Sequence, residues 1–397
     1  MSKGEERLHP GRPVATPEQT REILGIGGDG SGVNTLRSGH TSSRVARGLR
    51  RVVRGVVKAE PVAGVRLSRD LSEPVPESGE VVVEVAATSV CGTDLELYEW
   101  SESARGFDPE LPFVMGHECS GTVVAVGPEV GGVSVGDRVA AESHIFCGRC
   151  YLCRTGRAHN CERLRVLGIT FDGAFAELVK LPASVCFRLP ESVSPEIGAL
   201  FEPAGVSVHA LQRAGSVAGC DVLVSGCGPI GLVVVQLALL FGASRVFASE
   251  PNALRRGLAA NLGAITVDPT EQSMDEVLKP MGGGHGVEVA FETSGAPKAL
   301  PWLLDAVGRE SRIVTVGHPG QPVPLDVAAY INKKGVVLAG VFGRRIWDTW
   351  ETLSQLVVSG RLDLSWLITH RLDLAEFENG IQLLRRGESG KIIVYPN

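Results

Sequence analysis

Gly226-Cys227-Gly228-Pro229-Ile230-Gly231 spells G-x-G-x-x-G between the apolar stretch Val222-Leu223-Val224 and a longer one from Ile230 to Phe241. As a bare string the hexapeptide means little, because glycine-rich sextets arise by chance. After a strand and at the head of a helix it gains a physical reading. The missing side chains permit a tight turn, and N–H groups at the helix N-terminus can approach a pyrophosphate. Glu250 follows Gly231 by nineteen residues, at the end of the next apolar stretch, Val246 to Ser249. A carboxylate there accepts hydrogen bonds from the adenosine ribose hydroxyls and repels a 2′-phosphate, which favours NAD over NADP. Arg255 and Arg256 lie close enough in sequence to reach such a phosphate and weigh the other way. The candidate cofactor residues are Gly226, Gly228, Pro229, Ile230, Gly231, Glu250 and Arg255. From about Asp221 to Gly340 short apolar runs alternate with helical stretches such as Ala253 to Leu262, the pattern of βαβ units and a parallel sheet.

The texture before and after this region differs. Residues 1–51 carry glycine runs such as Gly25-Ile26-Gly27-Gly28 and an arginine cluster, Arg44, Arg47, Arg50 and Arg51, without sustained periodicity. They read as a flexible extension with at most one short helix near Ser43 to Arg51. Residues 52–203 are β-rich, with Val81-Val82-Val83-Glu84-Val85 and Gly121 to Gly127 as β-branched runs bounded by turn formers. After Gly340 two helices are predicted, about Trp347 to Ser359 and Leu374 to Arg386, then a closing strand at Lys391 to Tyr395. The division is thus 1–51, 52–203, 204–340 and 341–397. With 397 residues and 44% hydrophobic side chains the chain can bury a large core, and bulk disorder is excluded. A net charge of −6 leaves no global basic footprint, so nucleic acid is not an expected partner. No apolar run is long enough to span a bilayer and the N-terminus lacks the apolar core of a secretion signal, so no membrane partner is expected. Nine cysteines are too sparse and too odd in number for a disulfide framework, which places the chain in the reducing cytoplasm.

Those cysteines are unevenly spread. Cys147, Cys150, Cys153 and Cys161 form a C-x2-C-x2-C-x7-C array between about residues 144 and 165. Four thiolates so close can close a tetrahedral shell with no open position, a site that holds a loop together and does no chemistry. A redox pair or an iron–sulfur cluster uses similar spacing, but the turn-rich setting favours structural zinc. A second set is dispersed: Cys91-Gly92-Thr93-Asp94, Gly116-His117-Glu118 and Phe201-Glu202-Pro203. One thiolate, one imidazole and one or two carboxylates suit a zinc that keeps an exchangeable position. Taken singly, Cys91 and His117 would pass for core residues.

Together these motifs, in this order, resemble the zinc-containing medium-chain alcohol dehydrogenase family, over about Val52 to Asn397. The resemblance implies a β-rich, GroES-like catalytic domain split in sequence around a Rossmann doubly wound parallel sheet, an α/β fold with the active site in the cleft. It implies two zinc ions per subunit, NAD, and a homodimer or homotetramer. Cys91 and His117 with Glu118 or Glu202 would surround the catalytic zinc, and which carboxylate binds directly is left open. Zinc would acidify a substrate hydroxyl and hydride would pass to the nicotinamide. Ala141 to Cys147, Gly340 to Arg344 and Leu367 to Arg371 look most like the L-threonine 3-dehydrogenase branch. The implied substrate is a small amino alcohol, with an aminocyclitol of the 2-deoxy-scyllo-inosamine type or a polyol as the alternative. By the same resemblance Thr93 starts a proton path, His144 touches substrate and Arg344 touches cofactor or substrate. One position departs: threonine dehydrogenases carry a histidine three residues after this threonine, where this chain has Glu96. A carboxyl group ordinarily ionises well below an imidazole, so either Glu96 is tuned, or water carries the proton, or the substrate differs from threonine.

Overall fold

The computed structural model describes residues 52–273, 276 and 285–397. The extension 1–51 lies outside them, and so does the short helix predicted near Ser43 to Arg51.

The β-rich part is organised around the strand Glu80–Val90. Its side chains alternate between two cores: Val81, Val83 and Val85 pack with Cys119, Val123 and Val139, while Val82 packs with Val53 and Leu178. A strand covered on both faces can be nearly all apolar, which is why valine follows valine here. The strand is central in a seven-stranded sheet of order Cys186–Arg188, Arg138–Ala141, Glu118–Val126, Glu80–Val90, Lys391–Tyr395, Ile368–Asp373, with Leu178–Pro182 also paired to it. Two of those strands come from the end of the chain: Ile392 lies opposite Val90 in antiparallel register. The final fifty-odd residues therefore complete a sheet begun before residue 90.

Between these halves six parallel strands form the second sheet, in the order Ile265–Val267, Arg245–Ser249, Asp221–Ser225, Val287–Glu292, Val307–Thr315, Val337–Gly340. Strand order reverses at Asp221–Ser225, the point from which a doubly wound sheet offers its crevice. Val222 and Val224 face one core and Leu223 another, so both faces are covered, as the alternating texture predicts. The helix Pro229–Leu240 has proline in its first turn and buries Leu232, Val233, Val234, Val235 and Leu237. The helix Phe201–Ala214 bridges the two parts, since one core joins Ala140 and Phe187 of the first sheet to Phe201, Val208 and Val222. The boundary placed after residue 203 falls in the first turn of this helix. Beyond Gly340 the helices are Asp348–Val358 and Phe377–Arg385, close to those predicted. Among the described residues no helix is long and apolar enough to cross a membrane.

Candidate active site and metal centres

Cys91 directly follows the strand Glu80–Val90 and caps the helix Gly92–Glu99. The cap is reciprocal: Asp94 Oδ2 accepts the Cys91 N–H at 2.8 Å, so a helix starts here without an apolar stripe to signal it. The other oxygen of Asp94, fully buried, lies 3.5 Å from Nδ1 of the buried His117. Glu118 begins the next strand, Glu118–Val126. The sulfur of Cys91, a ring nitrogen of His117 and a carboxylate oxygen of Glu118 all lie within 4.8 Å of one another. Burial opposes a charge on His117, yet Asp94 and Cys91 beside it raise its pKa overall. A field that draws a proton to an imidazole draws a divalent cation as well, and thiolate, imidazole and carboxylate form a donor set of the zinc type.

Glu202 stands outside that trio. Its Oε1 accepts Ser143 Oγ at 2.6 Å and Arg344 Nη1 at 2.8 Å. Arg344 is spread over a buried acidic cluster: Nε reaches Glu142 Oε2 at 2.8 Å, and Nη2 reaches Glu142 Oε1 and Ser143 Oγ, the latter at 2.7 Å. Trp350 Nε1 and the backbone N–H of His144 complete the shell of Glu142, each at 2.8 Å. Burial disfavours both charges, but the pair holds Arg344 up and Glu142 down in pKa. His144 is buried, with Nδ1 3.0 Å from the His159 carbonyl, and burial together with Arg344 lowers its pKa to about 4. Thr93 Oγ1 lies 3.9 Å from the Cys91 sulfur. Glu96, one turn along the same helix, accepts a hydrogen bond from Ser101.

Glu118 has partners that no sequence pattern announced. Lys391, 2% exposed at the head of the last strand, donates to both its carboxylate oxygens, at 2.6 Å to Oε1, and Ser89 Oγ donates to Oε2. A lysine opening an otherwise apolar strand is the one signal available in the sequence, and its distance from Glu118 along the chain hides the pairing. Glu142, Ser143 and Trp350 were missed for the same reason.

The sulfurs of Cys147, Cys150, Cys153 and Cys161 also lie within 4.8 Å of one another. Separations of 3.4 Å for Cys150–Cys153 and 4.0 Å for Cys147–Cys153 and Cys150–Cys161 bracket the about 3.8 Å edge of a tetrahedron with 2.3 Å zinc–sulfur bonds. N–H groups of Arg149 and Cys150 aimed at its sulfur hold the Cys147 thiol down to about 6. Burial and its neighbouring thiols push Cys153 the other way, up to about 12. Four adjacent thiols share one ionisation problem that a cation solves.

In the glycine loop each position has its own reason. Gly226 has φ +91° and a Cβ there would sit 2.8 Å from the Ser294 N; one on Gly231 would sit 2.0 Å from the Gly226 carbonyl oxygen. Gly228, the helix N-cap, meets nothing within 4 Å, which leaves room at the N-terminus of Pro229–Leu240 for a phosphate group. Glu250 lies beside the loop and accepts the N–H of Cys227 at 2.6 Å and of Asn252 at 2.8 Å. Arg256 is committed to Asp268 at 2.9 Å and to the Glu250 carbonyl, whereas Arg255 Nε reaches the Ser389 carbonyl at 3.4 Å, its one side-chain hydrogen bond among the described residues. Ile230 gives its carbonyl to Ser207 Oγ at 2.9 Å.

Residues 77–191 match the alcohol dehydrogenase GroES-like domain and residues 229–359 match the zinc-binding dehydrogenase domain. The chain is 41% identical over 341 residues to an L-threonine 3-dehydrogenase of Pyrococcus abyssi, covering 85% of this chain and 97% of that one. The 2R,3R-butanediol dehydrogenase of Bacillus subtilis superposes with TM-score 0.78 at 30% identity, over 87% of this chain and all of that one (100%). An alcohol dehydrogenase of E. coli complexed with NADH gives 0.79 at 25% identity, over 86% and 99%. This chain belongs to the zinc-containing medium-chain alcohol dehydrogenase family and is an NAD-dependent oxidoreductase that acts on CH–OH groups.

Proposed function

We propose that the enzyme oxidises the secondary hydroxyl of a small amino alcohol of the L-threonine kind. The observation that carries this reading is the convergence of Cys91, His117 and Glu118 within 4.8 Å, in a chain 41% identical to an L-threonine 3-dehydrogenase. Those three residues would hold the catalytic zinc, and Cys147, Cys150, Cys153 and Cys161 the structural one. Glu202, tied to Ser143 and Arg344, is the reserve carboxylate, free to approach the metal only if Arg344 releases it. When bound, zinc supplies Lewis acidity that makes a hydroxyl acidic near neutral pH, and the nicotinamide ring takes up hydride. The chain's own residues position and deprotonate. Thr93, its Oγ1 3.9 Å from the Cys91 sulfur, takes the hydroxyl proton as it releases its own, which leaves through water or through Glu96 three residues on. Gly226 to Gly231 and the helix behind them seat the pyrophosphate, and Glu250 selects NAD by its charge.

Residues 52–203 and 341–397 form the catalytic domain and 204–340 the nucleotide domain in this reading. Val337 and Leu338, 58% and 36% exposed on the open edge of the parallel sheet, suit pairing with the same edge of a second copy, hence a homodimer or a dimer of dimers. Four clustered thiolates keep their ligand role in a reducing cytoplasm. The aminocyclitol or polyol reading is favoured by one observation, the carboxylate at Glu96. The deciding experiment is initial NADH formation by zinc-loaded enzyme with L-threonine, aminocyclitols and polyols, zinc-stripped enzyme being the control. A rate on L-threonine at least about tenfold above the rest is expected. Turnover of a cyclitol or polyol with silence on threonine moves the assignment to the second reading.

A further inference from the structure

Lys58, the last residue of the strand Val52–Lys58, is fully buried, and among the described residues it makes no ion pair. Its ammonium donates instead to three carbonyls. Two belong to the loop after the strand, Val62 and Gly64, the latter at 3.0 Å; the third is Tyr98 of the helix Gly92–Glu99, at 3.1 Å. Burial opposes the charge and pulls its pKa down to about 8. The Trp100 ring covers the same nitrogen, its centroid 5.2 Å away. Trp100 is the C-cap of that helix and has φ +57°, a left-handed conformation that a bulky residue keeps only where its surroundings impose it.

The helix needs an anchor at that end. It buries only Asp94 and Leu97, carries Glu96 and Glu99 toward its C-terminus and has no basic residue in its last turn. Acids have the wrong sign for the negative end of a helix, and Lys58 supplies from another strand the cation that the helix lacks. The opposite end bears the chemistry. Cys91 is the N-cap, and Asp94 in the first turn accepts the Cys91 N–H and stands 3.5 Å from His117 Nδ1. A shift of so short a helix therefore moves one metal ligand and the carboxylate that faces another. The strand of Lys58 closes the circuit. Lys58 pairs with Phe113, and the Val56 carbonyl accepts the Met115 N–H at 3.0 Å, just before His117. One residue thus ties the segment that leads into His117 to the helix that Cys91 heads.

We propose that Lys58 is a positioning residue of the catalytic metal centre: by pinning the C-terminal end of the helix Gly92–Glu99 it holds Cys91 and, through Asp94, His117 at the mutual placement that a metal ion requires. Ligands held in place before the ion arrives bind it more tightly than ligands that must first be ordered. The inference rests on the preceding reading that Cys91, His117 and Glu118 hold the catalytic zinc.

The test compares the full-length wild type with Lys58→Met, which keeps an apolar stem without the charge, and Lys58→Arg, which keeps a cation. Zinc is counted first: a wild type that holds only about one zinc per subunit defeats the metal reading itself, before any variant is judged. Zinc at the catalytic site is then titrated against a chelator of known affinity, and Co(II) put in its place is followed by its ligand-field absorption. Lys58→Met is expected to keep the zinc of the four-cysteine site and to bind zinc at the catalytic site at least about tenfold more weakly, with an altered Co(II) spectrum. Lys58→Arg is expected to stay within about threefold of the wild type, with the wild-type spectrum. If Lys58→Met does not fold, Lys58→Gln, whose amide still donates but carries no charge, takes its place with the same expectation. A neutral variant that binds zinc at the catalytic site as tightly as the wild type, or that weakens both sites alike, overturns the proposal and leaves Lys58 a part of the scaffold. So does an arginine variant as weak as the methionine one.

Discussion

Lys391 is the residue whose importance is clearest from the structure and faintest in the sequence. It is a buried cation whose charge is opposed by burial and sustained by Glu118, with Cys91 and Glu202 further off. Removing it strands a carboxylate that is itself fully buried. Breaking one partner out of a buried ion pair costs about 3–5 kcal/mol, whereas replacing both by neutral groups costs far less. In zinc-stripped protein Lys391→Met is therefore expected to lower the unfolding free energy in urea by about that amount, and Lys391→Met with Glu118→Gln to recover most of it. A single variant as stable as the wild type would show that the pair is idle. The contrast with the neighbouring residues is instructive. Cys91, His117 and Glu118 are legible because each sits in a short motif, and Glu202 is legible as an acid, but its bonds to Ser143 and Arg344 are not. Local strings report which donors exist; only tertiary structure reports which are already taken.

At the scale of elements the glycine loop, the parallel strands and the cysteine lobe were readable, since each has a local physical cause. The helix Gly92–Glu99 was not, because it is started by a cap rather than by periodicity and carries only Asp94 and Leu97 to the interior. The lobe itself contains little that would hold it without metal: its helix Tyr151–Arg154 has four residues and buries none of them. Four sulfurs in tetrahedral separation take the place of a core there, as in small metal-stabilised domains. Cys153→Ser is accordingly expected to reduce zinc content, measured by elemental analysis, from about two to about one per subunit. The same variant should open the chain to trypsin around Arg154 and Arg157. Undiminished zinc together with unchanged proteolysis would rule out the four-sulfur site.

The molecule as a whole is one catalytic sheet that the chain begins before residue 90 and finishes with Lys391–Tyr395, with the nucleotide sheet built in between. That closure follows from pairing between distant segments, which no window of sequence can display. Its consequence is a seam where buried polar groups must be matched. His144 and His209 lie there, and burial depresses the pKa of both, to about 4 for His144. Around His144 stand Arg344, Glu142, Glu202 and the His159 carbonyl, and around His209 stand the Gly343 carbonyl, Arg213, Arg344, Arg345 and the His159 ring. The arginines repel a proton there, and the carboxylates by His144 are already neutralised by Arg344. An imidazole that ionises near 6.5 in the unfolded chain and near 4 in the folded one prefers the unfolded state once protons are available. Its share of stability is complete above about pH 6.5 and is lost as pH falls toward 4, about 2 kcal/mol of it between pH 7 and 5. His144→Asn should therefore cost more stability at pH 7 than at pH 5, the gap closing by about 2 kcal/mol in paired urea titrations. If wild type and variant instead lose stability in parallel across that range, His144 does not carry its proton-free state into the fold, and the seam is held by the Arg344 cluster alone.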